Sequence, residues 1–536
     1  MMNRKSAMII FCLTAFVMGG IINACTDTEY FYPTPDKDSG FDPYLELVNC
    51  DTPSGPSLVL GPYISDITSS GATLMFKSSG ESDSKVYFLE YDDGCLAADV
   101  FEHGTAVSTD KIDQSIVPYS KAGDPIPENL YAAHFSLESD TDKDRRYCYG
   151  IEFPPTPWQS NNTYFCPPSL SEGLAGTSFV VPADKGNEFA LYIYGDQRDP
   201  MGFNLIHDRV VAMMSTDFAD DLMAGNTLAE LAFNVGDFGY TGCQIELWED
   251  NYFSPNRAFL QHLPIFASPG DHEYFDTTGG PSCTNASFYF SFFGMAYNNN
   301  TSMAPGMYAV DYKNVRIISL NMISHTDKGG LDPAECKGGE SCEDTEICGY
   351  KWLQCRLTEA DTDDSIDQIF MFYHAPLLTA PSTGKHPSSK FQIQYLAPLF
   401  ERPDGQQWGK VTAVIQGHNH FYERSGPISA LCLKDDGDCI EEFQSTCPDT
   451  PTPAGFDFPP VCYNEDPVNG ITYILVGGGG ATLYEAAPGP FPIQWLEQAA
   501  SVYQYGKINV SGKKATLEVV GFDKAGKPYK DSAVLR

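Results

Sequence analysis

Basic residues are scarce in this sequence. The chain of 536 residues has 33 Lys and Arg against 71 Asp and Glu, which gives a formal net charge of −38. A surface this acidic repels phosphate backbones, so nucleic-acid binding is disfavoured and solubility is the simplest role of the charge. The same field repels small phosphate anions. A site for such an anion would need a strong local positive charge, which metal ions can supply.

Long apolar segments are also lacking, apart from one near the N-terminus. Arg4 and Lys5 precede an apolar run over residues 7–19, which is too short for a membrane span and is typical of a signal peptide. The run leads into Ile22-Asn23-Ala24-Cys25, which resembles a bacterial lipoprotein cleavage box with Cys25 as the lipid-bearing residue. The alternative is ordinary signal cleavage nearby, with Cys25 as an incidental thiol.

These features predict an exported protein. We expect a signal peptide over residues 1–25 and an acidic, Pro-containing tether over residues 26–55. The mature protein would be anchored through Cys25 in a bacterial envelope or at a cell surface, or otherwise secreted. Membrane contact is expected only through this anchor.

Two cysteine clusters, near residues 330–356 and 428–465, lack the C-x2-C pairs that are typical of structural zinc sites. The sequence has 16 Cys, and 14 remain if Cys12 is removed with the signal peptide and Cys25 carries lipid. An even number fits disulfides in an oxidising compartment. We interpret the clusters as staples of insertions near residues 330–356 and 428–465, with zinc knuckles as the alternative. Their connectivity stays open.

The hydropathy pattern predicts two kinds of domain. Residues 56–183 hold short segments with period-two alternation, which predict an antiparallel, fibronectin III-like β-sandwich. Residues 184–536 predict an α/β domain, and the strands after Gly470 are expected to complete a second sheet. The run of glycines at positions 477–480 lacks the Lys and Ser/Thr of a nucleotide-binding loop, so we expect a tight turn there.

From residue 189 onward, Asp and His side chains lie just past the C-terminal ends of predicted strands. In open α/β sheets this edge is where ligands bind, so we expect these side chains to converge. Carboxylates and imidazoles together suit a dinuclear centre for Fe, Mn or Zn, in which one carboxylate can bridge two ions. A structural Ca²⁺ site would fit the carboxylates but not three histidines. The residues are Asp196, Asp237, Asp271, His374, His418 and His420.

Two runs carry a resemblance to a known family. Gly236-Asp237-Phe238-Gly239-Tyr240 and Gly417-His418-Asn419-His420-Phe421-Tyr422-Glu423-Arg424 resemble the Gly-Asp-x-x-Tyr and Gly-His-x-His-x-Tyr-Glu-Arg motifs of purple acid phosphatases, in the calcineurin-like metallophosphoesterase superfamily. Leu60-Gly61-Pro62-Tyr63 is similar to part of the family's N-terminal domain. The resemblance covers roughly residues 56–534 without the two insertions. It implies a four-layer α/β/β/α metallophosphoesterase domain and hydrolysis of phosphate monoesters at a dinuclear metal centre.

The resemblance also implies a role for each matching position. A phenolate favours a trivalent ion, so Fe(III) together with Zn, Fe or Mn in the divalent state is implied. The ligands would be Asp196, Tyr240 and His420 for the first metal, Asp271, His374 and His418 for the second, and Asp237 as the bridge. His272, and by its loop position His386, would contact substrate and stabilise or protonate the leaving oxygen. An exposed loop histidine is the alternative for His386.

The sequence departs from the family in two places. The family normally has Asn where this chain has Asp271, and Asp196-Gln197-Arg198 stands where many superfamily members have Asp-x-His. Because Tyr240 is present, the missing His is not needed as a ligand. Arg198 would either bind a phosphate oxygen or pair with nearby carboxylates.

The expected partner is a small phosphate-ester substrate, and the oligomeric state cannot be inferred. Two other functions stay open. One is a phosphodiesterase or nucleotidase on the same fold, because specificity lies in loops. The other is a non-catalytic surface protein that retains the fold.

Overall fold

The computed structural model divides into Met1–Asp42 and Pro43–Arg536, and every described element lies in the second unit. The predicted signal peptide, the Cys25 anchor and the tether lie outside the described residues. The structure describes residues 58–536 apart from 92–96, 114, 116, 118–123, 138–142, 155–162, 166–177, 185, 200–204, 225, 228, 276–284, 294–305, 324–327, 329, 337–341, 343–346, 403–408, 434–454, 457–460, 488–492 and 494.

The first part of the described chain is built from short antiparallel strands. They form one sheet in the order β1-β2-β6-β5 and another in the order β4-β3-β7-β8, in which β9 also pairs with β7. The elements are β1 Leu58–Thr68, β2 Gly71–Ser78, β3 Lys85–Glu90, α1 Ala97–His103, β4 Thr105–Ser108, β5 Asp110–Lys111, β6 Leu130–Ser136, β7 Arg145–Phe153, β8 Thr163–Phe165 and β9 Ser178–Val181.

Aromatic side chains connect these two sheets. Phe88 of β3 stacks on Phe135 of β6 with ring centroids 4.5 Å apart, and Phe76 of β2 meets Phe153 of β7 at 5.8 Å. Alternate residues of β3 are buried, as expected for a strand with one face against a core. The strands therefore lie where the alternation predicts them, whereas the fibronectin III-like sandwich and its boundaries at residues 56 and 183 stay predictions.

The second part of the chain alternates strands and helices before ending in strands. A π-helical segment, Glu249–Phe253, joins α3 to α4. The elements are β10 Glu188–Tyr194, α2 Leu205–Ala224, β11 Ala229–Asn234, α3 Ile245–Trp248, α4 Ser254–Leu260, β12 Ile265–Ala267, α5 Ser287–Phe293, β13 Tyr308–Tyr312, β14 Val315–Ser319, α6 Gly349–Thr362, β15 Gln368–Phe372, α7 Ala397–Glu401, β16 Val411–Gln416, β17 Tyr422–Leu433, β18 Val461–Glu465, β19 Ile471–Val476, β20 Leu496–Ala500, β21 Val502–Ser511, β22 Lys514–Asp523 and β23 Pro528–Val534.

Two mixed sheets form the centre of this part. One has the order β12-β11-β10-β21-β22-β23, and the other has the order β13-β14-β15-β16-β19-β17-β18, with β20 beside β17. Strands β10 to β12 are mutually parallel, and so are β14, β15, β16 and β19. The expectation that the last strands complete one second sheet is wrong, because β19 joins the second sheet whereas β21 and β22 join the first.

The two sheets pack face to face with helices outside them. Phe233 of β11 stacks on Phe372 of β15 with ring centroids 3.7 Å apart. Strand β15 has two buried faces: Phe370 and Phe372 belong to the core between the sheets, while Ile369 and Met371 belong to a second core that includes α6. Large apolar side chains fill both cores. Their burial away from water is the main favourable contribution to folding. The α/β layering predicted for the metallophosphoesterase domain is confirmed.

The cysteine-rich insertion before α6 is closed by disulfides. Cys336 bonds to Cys348, and Cys342 bonds to Cys355. This outcome fits the staple interpretation rather than zinc knuckles. Among the described residues of the second cluster, Cys432 and Cys462 are also disulfide-bonded.

In the described parts of the chain, no helix combines the length and apolar character needed to cross a bilayer.

Candidate metal centre

The predicted site residues lie just beyond strand ends of both central sheets. In the first sheet, the parallel strands β10, β11 and β12 lead to Asp196, Asp237 and Asp271. In the second, the parallel strands β15 and β16 lead to His374 and His418. Carboxyl ends of parallel strands share one edge of a sheet. Because the sheets pack face to face, the two edges bring their side chains into one cluster.

Three of these residues have a left-handed backbone conformation, which sets the direction of their side chains. The angle φ is 59° at Asp196, 60° at Asp237 and 72° at His418. Such conformations cost roughly 1–3 kcal/mol each for non-glycine residues and concentrate at functional sites. Neighbouring glycines let the turns approach closely, since a Cβ on Gly270 would lie 2.3 Å from Asp237 Oδ1 and one on Gly417 2.3 Å from Asp196 Oδ2.

One group of donor atoms consists of Asp271, His374 and His418. Asp271 Oδ1 lies 3.1 Å from His374 Nε2 and 3.0 Å from His418 Nδ1, and the two histidine nitrogens are 3.1 Å apart. The three donor atoms lie within 4.8 Å of one another, which is close enough for all of them to bind one ion. The group matches the predicted second-metal set.

A second group consists of Asp196, Asp237 and His420, whose donor atoms also lie within 4.8 Å of one another. His420 Nε2 is 3.7 Å from Asp196 Oδ1. Asp237 connects the two groups, because its Oδ1 lies 3.3 Å from His374 Nε2. All three residues are buried. Asp237 therefore stands where a bridging carboxylate would.

Hydrogen bonds fix which histidine nitrogen faces each group. The Nδ1–H of His374 donates to the carbonyl oxygen of Val235 at 2.8 Å, and that of His420 donates to Thr482 O at 2.8 Å. Both Nε2 atoms are thus turned towards the carboxylates. Backbone carbonyls that hold the far nitrogen in this way are usual partners of metal-binding histidines. His418 instead presents Nδ1, and its buried Nε2 has no hydrogen-bond partner in the described part of the chain.

The charges of this buried cluster favour a bound cation. Burial raises the pKa of Asp196 to about 7 and lowers that of His420 to about 3. Burial also opposes a proton on His374, but the carboxylates of Asp237 and Asp196 outweigh it and raise the pKa of His374 to about 10. Without a cation, protons on Asp196 and His374 would offset part of the negative charge of these carboxylates. The donor set, with hard oxygens and imidazole nitrogens, fits Fe, Mn or Zn.

Arg198 and Tyr240 lie beside the second group. Arg198 Nε donates to Asp237 Oδ2 at 2.6 Å, and one of its terminal nitrogens is 3.4 Å from His420 Nε2. Its guanidinium carbon lies 5.7 Å from the centroid of the Tyr240 ring. The structure thus has the carboxylate pairing considered for Arg198, while its phosphate contact and the ligand role of Tyr240 stay predictions.

His272 is fixed next to the site but outside both donor groups. Its backbone N–H donates to Asp237 Oδ1 at 3.2 Å, and its ring Nδ1–H donates to the carbonyl oxygen of Tyr240 at 2.6 Å. A carbonyl oxygen only accepts, so Nδ1 carries hydrogen and Nε2 is left for another partner.

His386 lies against His418 rather than away from the donor groups. Its ring centroid is 3.8 Å from that of His418 and 6.4 Å from that of Tyr484. The structure therefore gathers every predicted site residue around the two donor groups. Their catalytic and metal-binding roles stay predictions.

Glu273 is a functional candidate that the sequence interpretation missed. This buried carboxylate accepts three backbone N–H groups, from Asp237 at 2.9 Å, Phe238 at 2.9 Å and Gly270 at 2.6 Å. It thereby fastens the turn after β11 to the turn after β12. Its place in the run Gly270-Asp271-His272-Glu273 was visible, but nothing in the sequence indicates that it reaches another strand's turn.

Comparison with known proteins supports the fold. No protein-family model matches the chain. The structure is similar to that of purple acid phosphatase PPD1 from yellow lupin (Lupinus luteus) seeds, with a TM-score of 0.54 and 17% identity over 91% of this chain and 75% of that one. It is also similar to PhoD, with a TM-score of 0.50 and 11% identity over 90% of each chain. The chain therefore has a metallophosphoesterase fold.

Two curated relatives come from Mycobacterium tuberculosis, one from strain CDC 1551 / Oshkosh and one from strain ATCC 25618 / H37Rv. Both are uncharacterized proteins. Each is 25% identical over 316 residues, or 57% of this chain and 53% of the relative. The chain thus spans about half the length of the curated relatives it matches.

Proposed function

We propose that this protein hydrolyses phosphate monoesters at a dinuclear metal centre, as purple acid phosphatases do. The observation that carries the proposal is the meeting of two donor groups, buried except for Asp271, at Asp237. Two carboxylate-histidine groups that share one acid are the arrangement expected of a two-metal hydrolase. The lupin neighbour, a purple acid phosphatase by name, has the same fold and supports the proposal.

The metal assignment follows the two groups. The first metal would be held by Asp196, Tyr240 and His420, the second by Asp271, His374 and His418, with Asp237 between them. Two bound ions, Fe(III) and a divalent Zn, Fe or Mn, would supply positive charge to the phosphate and activate a water. Tyr240 is the reason for proposing Fe(III), because a phenolate is a hard anionic ligand.

The remaining side chains would serve the substrate. His272 has its Nδ1–H held by a backbone carbonyl, so its Nε2 can hold a proton for the leaving oxygen. His386, beside His418, would contact the substrate on the other side. Arg198 pairs with Asp237 and would offer its other N–H groups to a phosphate oxygen.

We also propose that the mature protein is exported and anchored by a lipid on Cys25. A tether over residues 26–55 would lead to a sandwich domain over residues 56–183 and a catalytic domain over residues 184–536. The disulfides Cys336–Cys348 and Cys342–Cys355 support an oxidising compartment. Cys25→Ser should release the protein to the soluble fraction or block its processing, as fractionation would measure. A wild-type protein that is already soluble would contradict the anchor.

Elemental analysis combined with a monoester and a diester of p-nitrophenol tests the proposed activity. We expect two metals per chain, turnover that favours the monoester, and loss of visible absorption in Tyr240→Phe. Asp250→Ala, an exposed acid on the π-helical segment, is the control and should change none of these. Fewer than two metals after reconstitution would contradict the dinuclear centre. Preference for the diester would favour a phosphodiesterase, and full metal loading without turnover would favour a non-catalytic protein.

A further inference from the structure

The loop that carries His386 is fastened to the run that carries the ligand histidines. We call residues 379–389 the His386 loop. Buried Asn419, between the two ligand histidines, donates its Nδ2–H to the carbonyl oxygen of His386 at 2.8 Å and to Thr379 Oγ1 at 3.3 Å. Buried Glu423 accepts the Thr379 hydroxyl at 2.7 Å. These bonds fix the backbone of the loop relative to the candidate metal centre.

Two aromatic rings cover the ligand histidines on this side. The His386 ring lies over His418, and the Tyr484 ring stacks on His420 with centroids 4.1 Å apart and planes 25° apart. The backbone N–H of Tyr484 donates to the carbonyl oxygen of His420 at 2.9 Å. Tyr484 is therefore held against His420.

An ammonium group lies against the Tyr484 ring. Lys385 precedes His386 and is exposed, and its Nζ lies 3.9 Å from the centroid of the Tyr484 ring. A cation over the face of a tyrosine is attracted by the negative charge of the ring face. The Tyr484 ring thus contacts both the Lys385 ammonium and His420, so this positive charge lies near a candidate ligand of the first metal.

We propose that Lys385 determines specificity by binding the second phosphate of substrates with two adjacent phosphates, such as a nucleoside diphosphate. The inference rests on the proposed phosphoesterase function. The metals would neutralise the reacting phosphate, but a second phosphate beyond them meets a protein of net charge −38. An ammonium offers that group a positive charge and three donors. Its contact with Tyr484 keeps this charge close to the candidate metal centre.

ADP and AMP form the matched substrate pair, because they differ by one phosphate. Lys385→Met keeps an unbranched side chain of similar length and removes the charge. We expect KM for ADP to rise about fivefold to tenfold, because the lost contact is charge-assisted but exposed. KM for AMP should change less than about twofold, since AMP lacks the second phosphate. Added salt should shrink the difference between wild type and variant.

Lys390→Met is the matched control, because Lys390 is an exposed lysine five positions further along. It should leave the KM values for ADP and AMP unchanged. Equal changes for both substrates in Lys385→Met, or no change for either, would overturn the inference. Turnover of p-nitrophenyl phosphate measured in parallel separates the two proposals. If the wild type turns it over while the ADP-to-AMP ratio is unaffected, only the inference is wrong; if the wild type turns over none of the three substrates, both are wrong.

Discussion

Replacing Asp271 with Asn removes one negative charge from the candidate second-metal group at nearly constant size. Asp271 Oδ1 lies 3.1 Å from His374 Nε2 and 3.0 Å from His418 Nδ1. Burial opposes ionisation of Asp271, but hydrogen bonds from these two histidines and their charge hold its pKa well below the usual range. The carboxyl group is thus ionised at neutral pH. The substitution therefore changes the charge of the site.

The size of the effect follows from the charge count. Asp196, Asp237, Asp271 and a Tyr240 phenolate bring four negative charges, and one bridging anion brings a fifth. Together they balance the five positive charges of a trivalent and a divalent ion, whereas Asn at position 271 leaves the site with one net positive charge. A unit charge about 5 Å from a phosphate is worth roughly 1–3 kcal/mol at effective dielectric constants between 80 and 20. Because the Asp271 side chain is 35% exposed, the weaker half of that range applies. We expect Asp271→Asn to bind inorganic phosphate roughly 5- to 30-fold more tightly.

Inhibition by inorganic phosphate, measured across pH for both forms, tests this expectation. Asp271→Asn should also lose the second metal to a chelator more readily, because an amide oxygen binds a cation more weakly than a carboxylate. Asp250→Asn controls for a general change in protein charge and should alter neither quantity. If Asp271→Asn binds phosphate no more tightly at any pH, charge tuning is wrong. Asp271 would then be protonated or turned away from the metals in the loaded protein.

Four other substitutions test separate parts of the site. Asp237→Ala should remove both metals because Asp237 faces both groups, and elemental analysis that still finds two metals would refute the bridge. His272→Ala should lower kcat by about 10²–10⁴-fold with metal content nearly intact; loss of metal would mean that His272 has a structural role. Glu273→Ala leaves three buried N–H groups without their acceptor, so the free energy of unfolding should fall by about 3–5 kcal/mol in denaturant titration. A fall below about 1 kcal/mol would contradict its proposed role of fastening the two turns. Arg198→Met should raise the affinity for the first metal by roughly tenfold in competition with a chelator.

The positions of the site residues were predictable because short local sequence patterns mark them. A strand pattern followed by Gly-Asp or Gly-His identifies a strand end, and parallel strand ends share an edge of a sheet. That logic predicts that Asp196, Asp237 and His374 lie in one cluster. It required no knowledge of which strands are neighbours.

Contacts between distant turns could not be predicted in the same way. Glu273 bonds to backbone N–H groups 36 and 35 positions earlier, at Asp237 and Phe238. Tyr484 reaches His420 from a separate turn. Nothing local marks either partner, because a buried carboxylate and an aromatic ring suit many environments. The partition of the last strands between two sheets is unpredictable for a related reason. β19 and β21 are largely buried and β22 alternates between buried and more exposed residues, but none of these patterns specifies which sheet the strand joins.

Arg198 shows how the geometry reconciles two interpretations that the sequence left open. Its guanidinium donates to Asp237 Oδ2 at 2.6 Å and approaches His420 Nε2 at 3.4 Å. A first metal would use lone pairs of the same two residues, so the ion and the guanidinium compete for them. Loading would weaken the pairing with Asp237, and the released N–H groups would face the phosphate. Removing the competitor should therefore tighten metal binding in Arg198→Met and at the same time weaken phosphate binding. If that variant binds its first metal more weakly than the wild type, Arg198 holds Asp237 in place for the ion instead of competing with it.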